Sequence, residues 1–355
     1  MNIPLMPGEK LILPTDPALR YTGRIGWEDP ANPFLIYPCS SVQLRLTGRT
    51  LKVALTNHHS YFENRLGVIV NGEQSAVLLE NGEQILDLSD KLTADVNDVL
   101  LFKRQDCCHA YTLHGFIVAE GAELLPLPQR PARRIEVYGD SVSAGEVSEA
   151  VDYCGQVDPP HDGEYSNSYY SYSWFTARML NAQLHDVAQG GIALLEGTGY
   201  FRWPEYLGME YMYDKMQYHT DICQPKTWDF SRYTPHVVIV AIGQNDNHPD
   251  DYMSGDYNHL KAVNWRSHYK AFVEKLRAIY PKAHIILSTT ILNHHKNWDD
   301  SIHQVWQELR DEKIHHFLYS LNGCGTHGHI RTPEAEQMGR ELSAFIESLP
   351  NVWED

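Results

Sequence analysis

No stretch of the chain approaches the roughly 18 consecutive apolar residues that span a bilayer, so a membrane helix is not expected. The first ten residues, Met1 to Lys10, lack a basic segment followed by an apolar one and do not read as a secretory signal. A cytoplasmic location is the expectation. Cysteine is sparse. Cys39, Cys107, Cys108, Cys154, Cys223 and Cys324 show no paired C-x-x-C spacing, which argues for reduced thiols rather than a disulfide framework. Basic residues are outnumbered, 29 Lys and Arg against 46 Asp and Glu, for a net charge of −17. Such a surface repels phosphate backbones and anionic lipid, so neither nucleic acid nor a membrane is an expected partner. Protonating all 19 histidines would bring the charge to +2, so net charge changes steeply below neutrality. There is no internal repeat and no low-complexity tract.

What is present has two textures. At 355 residues and 43% hydrophobic content the chain suits two domains, at about 100–200 residues each, with no staple needed for size. The first third reads as β. Val42–Leu46 and Leu51–Leu55 alternate apolar and polar, and Leu66–Val70 runs into Asn71-Gly72; a second Asn-Gly follows at Asn81-Gly82. Asn-Gly between such runs is a hairpin signal, because a type I′ turn needs positive φ at both central residues. A β-sandwich or jelly roll is expected over residues 1–128. Pro126, Pro128 and Pro131 then break any regular element and mark the boundary.

From residue 129 to 355 the texture is α/β. Ile135–Tyr138, His236–Ile242 and Ala283–Ser288 read as strands, the last two buried on both faces. Ser171–Leu184, Asn264–Tyr280 and Pro333–Leu349 read as helices, with Pro333 suited to a first turn. The alternation implies a doubly wound parallel sheet of flavodoxin-like type.

The residues that carry chemistry sit after strand-like runs. Gly139-Asp140-Ser141 follows Ile135–Tyr138, where open α/β sheets place ligands, although Gly-Asp-Ser is also ordinary turn chemistry. Gly190-Gly191 follows a run ending at Ala188 and offers a backbone N–H to an oxyanion. Gly243-Gln244-Asn245-Asp246 follows Val237–Ile242 and offers the Asn245 amide. Thr326-His327-Gly328-His329 precedes the last helix and offers an imidazole. A nucleophile, a base and oxyanion donors are the minimum set for acyl transfer.

These four blocks, in this order, resemble the SGNH hydrolases, also called GDSL esterases. Tyr21-Thr22-Gly23-Arg24, Gly48-Arg49-Thr50-Leu51 and Val70-Asn71-Gly72 ahead of Arg133-Arg134-Ile135-Glu136 make the whole chain similar to carbohydrate esterase family 2. That family joins an N-terminal jelly roll to an SGNH domain and removes O-acetyl groups from plant polysaccharides. The resemblance implies Ser141 as nucleophile, His329 as base, and an oxyanion hole of the Ser141 and Gly191 N–H groups and the Asn245 amide. It implies an O-acetyl esterase acting on acetylated hemicellulose oligosaccharides, mannan or glucomannan ahead of xylan. Another short-chain SGNH esterase, lipase or thioesterase is the alternative, and a non-catalytic carbohydrate-binding protein is a third reading.

One position departs from the SGNH pattern. Thr326 stands where most members carry an Asp three residues before the histidine, and no carboxylate lies between Ile314 and Glu334. The family includes Ser–His dyads, so the expectation is a backbone carbonyl from Cys324 to His327 as partner of the His329 N–H, with a remote Asp or Glu as the alternative. Ser143 and His327 are the weaker choices for nucleophile and base. Tyr165, Trp203 and Trp298 are candidate sugar platforms, or else packing residues. The acidic segment Glu146–Glu164 is long for an ordered connection, which suits a functional loop or an exposed one. Cys107-Cys108-His109, His294-His295 and His315-His316 lack zinc-site spacing, so no metal and no cofactor is expected. The sequence carries no signal of oligomeric state.

Overall fold

The computed structural model describes residues 1–354. These form two compact units. The first is Met1–Arg130 together with Asp162–Glu164 and Met216–Lys226, and the second is Pro131–His161, Tyr165–Lys215 and the chain from Thr227 onward. Two short returns of the later sequence are thus counted with the first unit, in addition to the expected residues 1–128.

The first unit is an antiparallel β-sandwich. One sheet holds β1 (Glu9–Ile12), β3 (Ile25–Gly26), β4 (Phe34–Leu35), β6 (Leu51–His59), β9 (Gly82–Asp87) and β11 (His109–Ala119). The other holds β2 (Arg20–Thr22), β5 (Ser41–Thr47), β7 (Arg65–Val70), β8 (Glu73–Leu78) and β10 (Val96–Lys103). The sequence alternation becomes a core face here: Val42, Leu44 and Leu46 of β5 and Leu51, Val53 and Leu55 of β6 are fully buried in one cluster. Asn71 and Gly72 have φ of 51° and 88° and close the β7–β8 hairpin, as the Asn-Gly signal requires. Asn81-Gly82 does not close a hairpin. It leads from β8 in one sheet to β9 in the other, only Gly82 of the pair has positive φ, and the Asn81 Oδ1 accepts the His59 N–H at 3.2 Å.

The second unit is built on a parallel sheet: β12 (Arg133–Gly139), β13 (Ala182–Ala188), β14 (Val237–Ala241), β15 (His284–Ser288) and β16 (Ile314–His316). The spatial order is β13-β12-β14-β15-β16, all parallel. All five residues of β14 and of β15 are buried, as apolar strands covered on both faces must be. The helices include α1 (Ser141–Ala144), α2 (Tyr172–Met179), α3 (Leu260–Ile279), α4 (Asn297–Leu309) and α5 (Thr332–Ser348). The buried residues of α3, among them Trp265, Tyr269, Phe272, Val273 and Leu276, recur at the three- and four-residue spacing of one helix face. The helix expected over Ser171–Leu184 ends early. Asn181 adopts φ 48° and turns the chain, and Leu184 is a buried residue of β13.

Strand order 2-1-3-4-5 reverses direction between β12 and its two neighbours, and the crevice at that switch point is where open α/β sheets hold ligands. The register makes the switch level. Gly139 pairs with Ala188 on one side and Ala241 on the other, so three loops leave the sheet at one height. Gly139 itself is forced: a Cβ there would lie 2.0 Å from Ser143 Oγ and 2.5 Å from Ser143 Cβ. Gly139→Ala is expected to lower unfolding stability by about 1–3 kcal/mol, the usual range for overpacking. A urea midpoint equal to that of the wild type would contradict this packing.

Candidate active site

Each strand end presents one element of the site. After β12, Asp140 adopts extended backbone and its Oδ1 accepts the Val142 N–H at 3.0 Å, which caps α1 and sets Ser141 on its first turn. Gly145, at φ 75°, ends that turn. After β13, Gly191 takes φ 72°, and its carbonyl accepts the N–H groups of Tyr200 at 2.8 Å and Phe201 at 3.2 Å. After β14, Gly243 takes φ 132° against the Trp265 ring and leads into Asn245. Among the described residues no acceptor takes the N–H of Ser141 or of Gly191. Asn245 Nδ2 donates to the Ile192 carbonyl at 3.0 Å and to Asp140 Oδ2 at 3.3 Å, so it lies over the same crevice.

Two buried carboxylates tie these loops together. Asp140 accepts from Gln244 Nε2 at 2.7 Å as well as from Asn245, which joins the first loop to the third. Asp246 accepts the N–H groups of Leu194 at 2.8 Å and Leu195 at 3.2 Å, which joins the third loop to the second. Burial pushes Asp140 up to about 6 and Asp246 up to about 7, against the hydrogen bonds that favour their charged forms.

The imidazole is held differently from the expectation. The partner of His329 is not a carbonyl of Cys324 to His327. His329 Nδ1 lies 2.6 Å from Asp158 Oδ2, and the His329 backbone N–H donates to Asp158 Oδ1 at 2.8 Å. The carboxylate comes from the loop Glu146–Glu164, far away in sequence, and replaces the one that Thr326 does not provide. Gly328 permits the approach: a Cβ there would lie 2.5 Å from Asp158 Oδ1 and 2.6 Å from the Gln156 carbonyl. On the other side of the ring, His329 Nε2 is 3.9 Å from Glu146 Oε2. No hydrogen bond joins Nε2 to the Ser141 hydroxyl among the described residues, and such bonds are often loose until substrate arrives.

These charges set the titration of the pair. Burial raises the Asp158 carboxyl, but the hydrogen bond and charge of His329 and the Arg331 guanidinium outweigh it and hold Asp158 well below the usual carboxylate range. Burial disfavours the His329 imidazolium. The Glu146 charge, the hydrogen bond to Asp158 and the nearby carboxylates outweigh that and raise the histidine above its ordinary value.

The weaker candidates are resolved by burial. Ser143 is fully buried and its hydroxyl is 2.8 Å from the Tyr172 hydroxyl. His327 is exposed and its Nδ1 lies 2.8 Å from Asn293 Nδ2, not at the Asp158 carboxylate. Trp203 is 74% exposed on the segment that passes Gly191. Tyr165 is half-buried, its carbonyl accepting the Glu149 N–H. Trp298 is no sugar platform. It is fully buried on α4, edge-on to Trp265 at 5.3 Å, with its Nε1 donating to Asp251 at 3.2 Å. Its spacing to Ile302 and Val305, both buried, is a core pattern legible in the sequence. Sequence reading missed Asp158, Glu146, Arg331 and Gln244. Tyr200 is an exposed ring beside Gly191 and stacks on His248 at 4.1 Å.

The chain is similar to known carbohydrate esterases. Residues 21–128 match the family model described as carbohydrate esterase 2 N-terminal. The chain is 27% identical over 352 residues to the acetylxylan esterase / glucomannan deacetylase of Cellvibrio japonicus, covering 97% of this chain and 92% of that one. A family two carbohydrate esterase structure from Cellvibrio japonicus superposes with a TM-score of 0.79 at 24% identity, covering 97% of this chain and 98% of that one. One from Clostridium thermocellum in complex with cellohexaose gives 0.77 at 25% identity, covering 93% and 98%. Fold, motif order and relatives define a carboxylic ester hydrolase of the SGNH class. Over nearly its whole length the chain is similar to carbohydrate esterases of family 2.

His329, followed by NMR, is expected to titrate above 6.5 and to move down in Glu146→Gln, because loss of that negative charge disfavours the imidazolium. The raised folded-state value adds stability that is full below pH 6.5 and is lost as pH rises through it. Titration at or below 6.5 in the wild type would contradict the geometry.

Proposed function

We propose that the protein removes O-acetyl groups from hemicellulose oligosaccharides, acetylated mannan and glucomannan ahead of xylan, through an acetyl-Ser141 intermediate. The observation that carries the mechanism is the Asp158–His329 pair placed at the serine-bearing end of the sheet. The named activities of the relatives support the substrate class. We also read the N-terminal sandwich as a jelly roll.

In neutral His329 the Nδ1–H donates to Asp158 and leaves the Nε2 lone pair to act as base. Nε2 takes the Ser141 proton as Oγ attacks the acetyl carbonyl carbon. The carbonyl oxygen becomes an oxyanion, met by the N–H groups of Ser141 and Gly191 and by the Asn245 amide. Asn245 gives up its longer bond, that to Asp140, to make this contact. The imidazolium, stabilised by Asp158, then passes its proton to the departing sugar oxygen as the C–O bond breaks. Water, deprotonated by His329, attacks the acetyl-enzyme; acetate leaves and the proton returns to Ser141. Each turnover thus consumes one water and yields acetic acid, which leaves as acetate with release of one proton to solvent.

Ser141→Ala is expected to abolish acetate release from acetylated glucomannan, with a loss in kcat on the order of 10⁶-fold. Asn245→Ala should lose about 10²–10³-fold, the usual worth of one oxyanion donor. Wild-type protein that releases no acetate from glucomannan or xylan would overturn the substrate reading. Equal release by Ser141→Ala would overturn the mechanism.

A further inference from the structure

Arg331 immediately precedes α5, and its guanidinium is fully buried. Each arm of the fork has a defined acceptor. Nη2 donates to Asp158 Oδ1 at 2.8 Å, Nε to the Ala150 carbonyl at 3.1 Å, and Nη1 to the carbonyl of His329. The next residues of the helix start hold the same loop. The Thr332 N–H and hydroxyl both donate to the Ser148 carbonyl at 2.8 Å. Glu334 Oε1 accepts the Gly155 N–H at 2.8 Å, while its Oε2 accepts the Arg331 N–H at 2.7 Å. Ser148, Ala150, Gly155 and Asp158 span the loop, so the first turn of α5 is the template on which the loop is moulded.

Burying a guanidinium is costly unless a carboxylate and further acceptors satisfy it. Asp158 is the carboxylate, and its Oδ1 is shared between the Arg331 guanidinium and the His329 backbone N–H. Oδ2 is thereby left to face the His329 ring. The planar fork ties Asp158 Oδ1 and the His329 main-chain carbonyl into one rigid frame, which a flexible ammonium would not do.

We propose that Arg331 is a positioning residue for the reaction: it places the Asp158 carboxylate and the His329 main chain together, and so supplies from a separate loop the orientation that position 326 lacks. The proposal rests on the reading of Ser141 and His329 as the catalytic pair. Arg331 itself touches no reacting atom.

The test is the kinetics of p-nitrophenyl acetate hydrolysis across pH for wild type, Arg331→Met, Arg331→Lys, Asp158→Asn and the double variant Arg331→Met/Asp158→Asn, with thermal unfolding run in parallel. Arg331→Met is expected to lower kcat by roughly 10²-fold, the scale of an ångström-level misplacement, with KM changed by no more than about twofold. Its acid limb should move to lower pH, because a displaced Asp158 stabilises the imidazolium less. Asp158→Asn should cost much less in the Arg331→Met background than alone, and added guanidinium should restore part of the lost kcat. A folded Arg331→Met with wild-type kcat and acid limb overturns the proposal, as do penalties that simply multiply. If Arg331→Met does not fold, Arg331→Lys decides: it keeps the charge without the fork, and wild-type kcat and acid limb in it overturn the proposal. Activity in Ser141→Ala would instead defeat the reading of the site on which the proposal rests.

Discussion

The Asp158 carboxylate makes three hydrogen bonds, and the site depends on how they are shared. One oxygen binds the His329 backbone and the buried Arg331, and the other binds the His329 ring. This division fixes ring orientation and tautomer at once. A carbonyl partner could have fixed the tautomer, but it would carry no negative charge to stabilise the imidazolium formed during acyl transfer. The charge comes instead from a loop that returns to the last helix, and Gly328 makes room for it.

The rest of the site follows from sheet topology and buried acids. Equal register at Gly139, Ala188 and Ala241 brings three loops to one level. Asp140 and Asp246 then lock those loops to one another by accepting backbone and amide donors. Their burial is offset by the donors that surround them, as a buried polar group requires. Ser141, Gly191 and Asn245 therefore stand on loops at the strand ends, and His329 stands on a segment held by a helix start.

Much of this was legible in the sequence, for identifiable reasons. Continuous apolar runs such as Val237–Ile242 mark doubly buried strands, and glycines directly after them mark tight exits, so the position of Ser141, Gly191 and Asn245 at strand ends was legible. Asn71-Gly72 declared its hairpin through the positive φ it needs. What failed were contacts without a local period. Asp158 lies in an irregular acidic loop 171 residues from His329, and no spacing rule links the two. Arg331 looks like an ordinary surface residue until its burial is seen. Asn81-Gly82 has the hairpin dipeptide but connects strands of different sheets. Trp298 was open as platform or packing residue, and its spacing to Ile302 and Val305 gives the buried face.

The most direct test of this account is the tautomer of His329, read by nitrogen-15 NMR of the imidazole above its titration. A ring held by Asp158 carries its proton on Nδ1 and leaves Nε2 bare, and the Nδ1 proton should resonate far downfield and be slow to exchange. A ring found protonated on Nε2, or one whose spectrum is the same in Asp158→Asn, would contradict the claim that this carboxylate orients the base.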